Sequence, residues 1–309
     1  MIHIVNLNPS IDYHLEVKDF KVNHTNRSLS EDFVIGGKGV NVSIVLNNFG
    51  VENYLTGYLG GYTGYYISKR LEDFPNIHDS FIQIDQKSRI NIKMKMEGGI
   101  ETEVNASGPT VDEKAIYALD EKLKSLKDGD VLVLSGSLIP GMPKDWYLKV
   151  VQTYANKGVK VFMDYASPMM LESLKEGVYL IKPNQYEFEL MMNKSYQTHD
   201  EMIKDAKNLM NQYPNSRMML SLGNEGSYLI NSKNIYFAPT IKGDVIHTVG
   251  AGDSMIAGYL YGLNLGLDEV ERFKMATAAA TASVLSDRLA KFDKFNEYLE
   301  KVIIKEERI

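Results

Sequence analysis

Apolar runs of strand length alternate along the chain with segments of helical period. Five of these runs are apolar almost throughout, as expected of strands that helices cover on both faces. They lie at residues 2–7, 131–134, 159–163, 179–181 and 218–222. Strands that alternate with helices in this way are typical of βαβ units, so the pattern predicts an α/β fold with a mainly parallel sheet.

Two predicted helices each follow a glycine-rich turn. The first has apolar residues at the helical spacing i, i+3, i+4 and i+7, and Gly50 stands where a glycine would end it. Its apolar positions are Val42, Val45, Leu46 and Phe49. The second helix lies near the C-terminus and repeats the apolar spacing at Ile256, Tyr259, Leu260 and Leu263.

Residues 90–97 and 100–105 follow a different pattern, because apolar and polar side chains alternate along them. Gly98 and Gly99 stand between the two segments, so we predict a β-hairpin with a two-residue turn, one apolar face and one polar face. A similar strand pair is predicted within residues 13–35. Together, residues 12–35 and 88–106 predict a small antiparallel sheet that stands off the main domain. Its apolar face needs cover, either from an active site beneath it or from a second subunit.

The composition is that of a globular protein, with 309 residues, 44% hydrophobic residues and 24% charged residues. We find no linker, so we treat residues 1–309 as one domain. The net charge of -6 argues against nucleic acid or an anionic membrane as the main partner, because both attract clustered Lys and Arg. There is no Cys and no secretory signal pattern, so we expect a cytoplasmic protein without disulfides or Cys-ligated zinc.

The strongest local motif is HTVGAGDS at residues 247–254, directly before the second helix. Its small residues allow a tight turn in which free N–H groups and the positive end of the helix dipole face a phosphoryl oxygen. Asp253 then lies in the first helical turn, where its carboxylate can accept a proton from an attacking hydroxyl. A plain tight turn followed by an ordinary first-turn acidic residue would have the same sequence.

A second glycine-rich turn, GGKGVN at residues 36–41, precedes the first helix. It offers backbone N–H groups, the Lys38 ammonium and the Asn41 amide to an anionic, hydroxyl-rich ligand. A flexible loop with an exposed lysine is the alternative. The turn is not a P-loop, and the chain lacks GxGxxG, which argues against a nicotinamide-dependent dehydrogenase.

Three further segments follow predicted strands, at the edge where a parallel α/β sheet binds ligands. Asp12, in NPSID, can bond sugar hydroxyls or shape a turn. Asn184 and Glu187 offer the oxygen ligands that Mg²⁺ prefers, although a capping box explains the pair more simply. The segment SLGNEG at 221–226 fits a turn under a nucleotide or a plain hairpin. The six histidines show no metal-ligand spacing.

In chain order, NPSID, GGKGVN, SRIN, SGS, KPNQYE, SLGNEG and TVGAGD resemble the motifs of the ribokinase-like (PfkB) carbohydrate kinases, from about residue 1 to about residue 285. Within that family the chain is most similar to the 1-phosphofructokinases and the tagatose-6-phosphate kinases. The resemblance implies a doubly wound α/β domain with a β-sheet lid. It also implies transfer of the γ-phosphate of ATP, with Mg²⁺, to a hydroxyl of a phosphorylated ketohexose.

The resemblance assigns a role to each matching residue. Asp253 would be the catalytic base, and the amides of Gly250, Ala251 and Gly252 would form the anion hole. The residues that would hold the sugar are Asp12, Gly37, Lys38, Gly39 and Asn41. Those that would hold the phosphate already on it are Arg89, Lys38, Arg27 and Ser137. Glu187, with Asn184, would organise Mg²⁺ and its waters. The residues that would contact ATP are Lys182, Asn184, Ser221, Gly223, Gly226 and Thr248.

The segment SRINIK at residues 88–93 resembles the 1-phosphofructokinase form of the lid, so we expect fructose 1-phosphate as the substrate and tagatose 6-phosphate as the alternative. Ile35 and His247 depart from the residues common in the family. We also expect a homodimer formed through the lid. The rival from another class is a non-catalytic sugar-phosphate-binding protein on the same fold, and the GAGD and NxxE motifs argue against it.

Overall fold

A computed structural model describes residues 1–165 and 169–307 of the chain. The strands are β1 (Ile2–Asn6), β2 (Ser10–Val17), β3 (Ser28–Gly36), β4 (Asn53–Gly60), β5 (Ile77–Asp79), β6 (Ile82–Ile84), β7 (Arg89–Met96), β8 (Glu101–Val104), β9 (Val131–Ser135), β10 (Lys160–Asp164), β11 (Leu180–Ile181), β12 (Arg217–Ser221), β13 (Ser227–Ile230), β14 (Ile235–Ala238) and β15 (Lys305–Glu307). The helices are α1 (Lys38–Asn48), α2 (Gly61–Leu71), α3 (Glu113–Leu123), α4 (Trp146–Ala155), α5 (Met169–Lys175), α6 (Gln185–Met192), α7 (His199–Gln212), α8 (Ala251–Asn264), α9 (Glu269–Val284) and α10 (Phe292–Leu299).

The larger sheet has the strand order β15-β14-β13-β12-β11-β10-β9-β1-β4-β5, with β6 paired to β4. The strands from β12 to β5 are parallel, whereas β13, β14 and β15 extend the sheet in antiparallel fashion. The five apolar runs predicted as strands correspond to β1, β9, β10, β11 and β12. The prediction of a mainly parallel sheet is therefore confirmed.

Two buried apolar clusters cover the two faces of this sheet. Because side chains alternate along a strand, Ile4 and Val133 lie in one cluster, while Val5 and Leu134 lie in the other. Helices α1, α2, α8, α9 and α10 contribute to the first cluster, and α3 to α7 contribute to the second. Burial on both faces explains why these strands are apolar at nearly every position.

The carboxyl ends of the central strands lie at one edge of the sheet. Asn6, Ser135 and Asp164 are the last residues of β1, β9 and β10, and they are neighbours in register. The chain leaves β1 toward β4 on one side, and β9 pairs with β1 on the other side. The strand order therefore reverses beside Asn6, which is where open α/β sheets form their ligand crevice.

The smaller sheet, hereafter the lid, has the strand order β3-β2-β7-β8. Its two hairpins, β2–β3 and β7–β8, are antiparallel and use the predicted segments, whereas the central pair β2–β7 is parallel. The predicted two-residue turn is wrong. The Met96 N–H donates to the Ile100 carbonyl at 2.8 Å, which leaves a turn of three residues, Glu97, Gly98 and Gly99. Gly98 adopts φ 83° there, a conformation that glycine accepts without strain.

The two faces of the lid differ as the alternating pattern predicts. Asp12, Asn91 and Lys93 lie on the polar face, where Asp12 is the register neighbour of Asn91. On the opposite face Tyr13 stacks on Phe33, with ring centroids 4.4 Å apart. Phe33 is 45% exposed and Leu29 is 65% exposed, so part of the apolar face is open to solvent in the single chain.

Within the described ranges, no helix combines the length and the apolar character needed to cross a membrane.

Candidate active site

The two glycine-rich turns lie together at the carboxyl edge of the large sheet. Gly250 precedes α8 with φ 79°, a left-handed conformation that starts the helix at Ala251 and places Asp253 in its first turn. The Asp253 side chain accepts a hydrogen bond of 2.7 Å from Nδ2 of Asn41, on α1. Residues 212 positions apart in sequence are thus joined by a direct contact.

The surroundings of Asp253 make its carboxylate more basic than usual. The side chain is buried, at 6% exposure. Burial and, after it, the nearby charge of Asp164 raise the pKa of Asp253 to about 6, against the opposing effects of Asn41, Lys38 and Lys182. At neutral pH the group is mostly ionised, yet it accepts a proton more readily than an ordinary aspartate, as a general base requires.

Asp164, at the end of β10, lies between two ammonium groups. It is fully buried, and its Oδ1 lies 3.1 Å from Lys38 Nζ and 3.3 Å from Lys182 Nζ. Burial alone would raise the pKa of Asp164, but the charges of Lys182 and Lys38 outweigh it and lower the pKa. Asp164 therefore stays ionised and holds both cations at the edge of the sheet.

Both ammonium groups lie near the turn at Gly250–Asp253. Lys38 Nζ is also 3.6 Å from Glu187 Oε1. Burial lowers the pKa of Lys38, but Asp164, Glu187 and Asp253 outweigh this effect and raise it, so the ammonium stays charged. Lys182 Nζ is 2.9 Å from the point where a Cβ on Gly252 would lie. The turn at Gly250–Asp253 thus presents first-turn amides, which have no intrahelical acceptor, beside two positive charges.

Asn6, at the end of β1, supports the other glycine-rich turn. Its Oδ1 accepts a hydrogen bond of 3.1 Å from the Gly39 N–H. Gly37 has φ 120°, and a Cβ on it would lie 2.7 Å from Asn6 Nδ2. Only glycine allows this close approach with that backbone conformation. Asn6 therefore fixes the position of Lys38 and the start of α1.

Asn184 and Glu187 form the capping box that their spacing allows. The Glu187 N–H donates to Asn184 Oδ1 at 2.8 Å, and the Asn184 N–H donates to Glu187 Oε2 at 3.0 Å. Within residues 1–165 and 169–307 no group of three His, Cys, Asp or Glu side chains could hold a metal ion. A magnesium ion here would therefore need water and ligand phosphates to complete its coordination, which is usual for Mg²⁺.

The segment 221–226 connects β12 and β13 as a hairpin, with a 3-10 turn at Gly223–Glu225. Gly223 and Gly226 both have positive φ. Ser221 forms an isolated parallel bridge with Asn184, so the two predicted nucleotide-contact segments are neighbours. Thr248 is exposed, and its carbonyl accepts a hydrogen bond from the Ala251 N–H at 3.4 Å.

Asp12 is oriented by the lid strands. Its Oδ1 accepts hydrogen bonds from Ser10 Oγ at 2.8 Å and from Asn91 Nδ2 at 2.9 Å. Its Oδ2 lies 3.3 Å from Lys93 Nζ and 2.6 Å from the point where a Cβ on Gly36 would lie. The lid thus brings a hydrogen-bonding carboxylate against the glycine-rich turn of residues 36–41.

Arg89 and Ser137 line a cavity of about 300 Å³ together with Lys38 and Glu187. Arg89 donates to the carbonyls of Asn8 at 3.1 Å and Ala106 at 3.4 Å, and it forms no ion pair with a carboxylate of the described residues. Burial lowers the pKa of Arg89, and Asp12 opposes that effect. Asn8, Arg89, Ser137 and Tyr165 also line a second cavity, of about 730 Å³. Arg27 is exposed in the β2–β3 loop and is not among the described residues that line either cavity.

Comparison of the sequence and the structure with known proteins identifies the family of this chain. Residues 5–291 match the family described as pfkB family carbohydrate kinase. The chain belongs to this family. It is 36% identical to a 1-phosphofructokinase of Borreliella burgdorferi over 99% of both chains, and 32% identical to a tagatose-6-phosphate kinase of Staphylococcus epidermidis over 98% of both. The structure of Escherichia coli phosphofructokinase-2 in complex with substrates and products superimposes with a TM-score of 0.91, at 26% identity, covering 97% of this chain and 98% of that chain.

Membership of the pfkB family confirms the predicted enzyme class and the ribokinase-like fold with its separate small sheet. The chain is a carbohydrate kinase, and kinase membership implies ATP as the phosphate donor. The sequence analysis missed Asp164, Asn6 and Tyr165. Their shared signal is their position at or directly after the carboxyl end of an apolar strand, and they belong to no short motif.

Proposed function

We propose that this kinase phosphorylates fructose 1-phosphate to fructose 1,6-bisphosphate, using MgATP. The relative named 1-phosphofructokinase, 36% identical over nearly the whole of both chains, supports this substrate. The observation that carries the proposal is the contact between Asp253 and Asn41 beside two ammonium groups, with Arg89 in the cavity that one of those ammonium groups, Lys38, also lines. A candidate base for the attacking hydroxyl and a cation for the phosphate already on the sugar thus lie at one edge of the sheet.

Asp253 takes the proton from the attacking hydroxyl late in phosphoryl transfer, and Asn41 orients its carboxylate. The amides of Gly250, Ala251 and Gly252, with Lys38 and Lys182, stabilise charge on the transferred phosphoryl group. Most of the rate enhancement comes from positioning and from these fixed charges, because phosphoryl transfer needs little covalent chemistry from the protein.

The sugar lies against the turn at Gly37 to Asn41, with Asp12 bonded to its hydroxyls. Arg89 and Ser137 contact the phosphate already present, together with Lys38 and Arg27. ATP lies along Lys182, Asn184, Ser221, Gly223, Gly226 and Thr248. Lys182 directly follows β11, and Ser221, the last residue of the neighbouring strand β12, bridges Asn184, which supports a nucleotide at that edge.

Magnesium would be held through water by Glu187 and Asn184, with the ATP phosphates as further ligands. The donors fit a hard cation, because the carboxylates of Glu187 and Asp164 supply oxygen at this edge and Asp164 Oδ2 is buried with no hydrogen-bond partner among residues 1–165 and 169–307. The bound ion would neutralise charge on the phosphates during transfer.

Residues 1–309 would act as one cytoplasmic kinase domain. The lid would close over the sugar and exclude water, which limits wasteful hydrolysis of ATP. The open part of its apolar face, with Leu29 and Phe33 exposed, supports the predicted homodimer through the lid.

The test is an ADP-release assay over fructose 1-phosphate, fructose 6-phosphate, tagatose 6-phosphate and unphosphorylated fructose. We expect the highest kcat/KM with fructose 1-phosphate. Tagatose 6-phosphate is the second candidate, because the relative with that activity in its name is 32% identical over 98% of both chains. A higher kcat/KM with tagatose 6-phosphate would replace the proposed substrate, and ADP release without any dependence on sugar would contradict the proposal.

A further inference from the structure

We infer that Lys144 is a specificity-determining residue that binds the phosphate already on the sugar, together with Arg89. Lys144 lies in the segment between β9 and α4, and no motif or comparison above assigns it a role. The inference rests on the proposed function, because it takes a sugar phosphate as the acceptor. It adds a second cation to the larger cavity that Arg89 lines.

The larger cavity is the basis for this assignment. It has a volume of about 730 Å³, and it continues the smaller cavity through the shared residues Arg89 and Ser137. Arg89 and Lys144 are its two cations, and no Asp or Glu is among the described residues that line it. The smaller cavity, in contrast, includes the carboxylate of Glu187. A phosphate with two negative charges is favoured in the larger cavity, where the charged side chains among the described lining residues are both positive.

Lys38 provides only part of the positive charge that this phosphate needs. Its ammonium lies 3.1 Å from Asp164 and 3.6 Å from Glu187, so two carboxylates already offset it. It also faces the catalytic turn, where the transferred phosphoryl group needs stabilisation. A phosphate at the end of the substrate away from the attacking hydroxyl therefore gains from a further cation beside Arg89.

Lys144 is available for that contact. It is exposed and forms no ion pair with any residue in the described ranges. Other surface lysines are engaged with carboxylates one helical turn away, such as Lys149 with Asp145 at 3.0 Å and Lys175 with Glu172 at 2.9 Å. Lys149 lies on α4, five positions from Lys144, and does not line the cavity. It is therefore a matched control.

Ligand chemistry follows from this lining. Arg89 and Lys144 provide charge-assisted donors for a phosphomonoester, and the hydroxyls of Ser107 and Ser137 add neutral donors. Leu138 and Met142 provide an apolar wall for the carbon chain. Such a site selects phosphorylated over unphosphorylated acceptors.

The experiment compares wild type, Lys144→Ala, Lys144→Arg, Arg89→Ala and the control Lys149→Ala. Steady-state kinetics are measured with fructose 1-phosphate and with unphosphorylated fructose. Binding of fructose 1-phosphate and of inorganic phosphate is measured by calorimetry, which does not depend on turnover. We expect Lys144→Ala to raise KM and Kd for fructose 1-phosphate by roughly 10-fold, the effect of one charge-assisted contact, with kcat within about two-fold.

Lys144→Arg should restore KM to within about three-fold, because the positive charge is kept. Lys149→Ala should leave KM for fructose 1-phosphate unchanged. Lys144→Ala should leave KM for unphosphorylated fructose unchanged. The inference would be overturned if Lys144→Ala raised KM equally for both acceptors. It would also be overturned if Lys144→Ala left KM for fructose 1-phosphate unchanged while Arg89→Ala raised it. If fructose 1-phosphate is not turned over but its binding still depends on Lys144, the proposed function fails and this inference stands.

Discussion

The end of β10 and the first turn of α8 each place a buried aspartate at the same edge of the sheet, but in opposite surroundings. Asp164 contacts two ammonium groups, at 3.1 Å and 3.3 Å, which lower its pKa. Asp253 accepts from the neutral amide of Asn41, and burial raises its pKa to about 6. The nearest partner, cation or amide, thus decides whether a buried carboxylate is a fixed charge or a base.

The difference suggests a division of roles. A carboxylate held ionised by two lysines is suited to keeping those lysines in place, whereas one with a raised pKa is suited to accepting a proton. The charge of Asp164 itself helps to raise the pKa of Asp253. If this account is right, the same substitution, Asp to Asn, should have different consequences at the two positions.

The largest effect is expected for Asp253→Asn. The amide keeps the hydrogen bond from Asn41 but cannot accept the proton, so kcat should fall by roughly 10²–10⁴-fold, the usual contribution of a general base. ATP binding, measured by calorimetry, should stay within about two-fold. A kcat within two-fold of wild type would remove Asp253 from the mechanism.

A smaller loss is expected for Asp164→Asn. The two ammonium groups lose the charge that holds them, so kcat/KM should fall by roughly 10- to 100-fold, as for one displaced charge-assisted contact. Removing one member of a buried ion cluster should also lower the free energy of unfolding, by about 3–5 kcal/mol.

Asp130→Asn is the matched control for that variant. Asp130 is also buried, at 2% exposure, but it bonds the N-terminal ammonium at 2.7 Å, at the opposite edge of the sheet. The variant Asp130→Asn should lower the free energy of unfolding and leave kcat/KM within about two-fold of wild type. Equal losses of activity in the two variants would mean that Asp164 acts only through stability.

The smallest effect is expected for the free energy of unfolding of Asp253→Asn and its dependence on pH. Because the folded pKa of Asp253 is raised to about 6, folding binds a proton between the ordinary aspartate value and pH 6, and stability falls as the pH rises through that window. Asp253→Asn removes the free-energy cost of ionising a buried carboxylate. The free energy of unfolding of the variant at pH 7 should therefore exceed that of wild type by about 1–3 kcal/mol. Denaturant unfolding at pH 7 and pH 5 checks this, and the gain should shrink at pH 5. A gain of the same size at both pH values would refute the ionisation argument.

Much of the fold could be predicted from the sequence, because local signals agree with the packing. The apolar run at 2–7 is β1, with both faces buried, and Gly250 starts α8 with the conformation that its turn needs. The parallel pairing of β2 with β7 could not be predicted, since 71 residues separate Val17 from Arg89, excluding both, and register depends on tertiary contacts. The three-residue turn at Gly98 was missed because two adjacent glycines also suit a two-residue hairpin.

The candidate site was predicted where short motifs exist and missed where they do not. Asp253 and Asn41 stand in glycine-rich motifs, and they lie in contact. Asp164 is a single polar residue at the end of an apolar strand, directly after Val161, Phe162 and Met163. Nothing in that local sequence indicates that two lysines from distant segments contact its carboxylate. Its environment comes only from the assembled edge of the sheet.

The pH dependence of kcat/KM tests the central claim, that Asp253 is the base, most directly. With saturating MgATP, wild type should lose activity below an apparent pKa of about 6, the value to which burial raises the pKa of Asp253. A phosphate monoester also ionises near pH 6, so the residual activity of Asp253→Asn serves as the reference. We predict that the acid limb of wild type is steeper than that of the variant, because the variant retains only the ionisation of the substrate. Superimposable limbs in the two proteins would contradict the account.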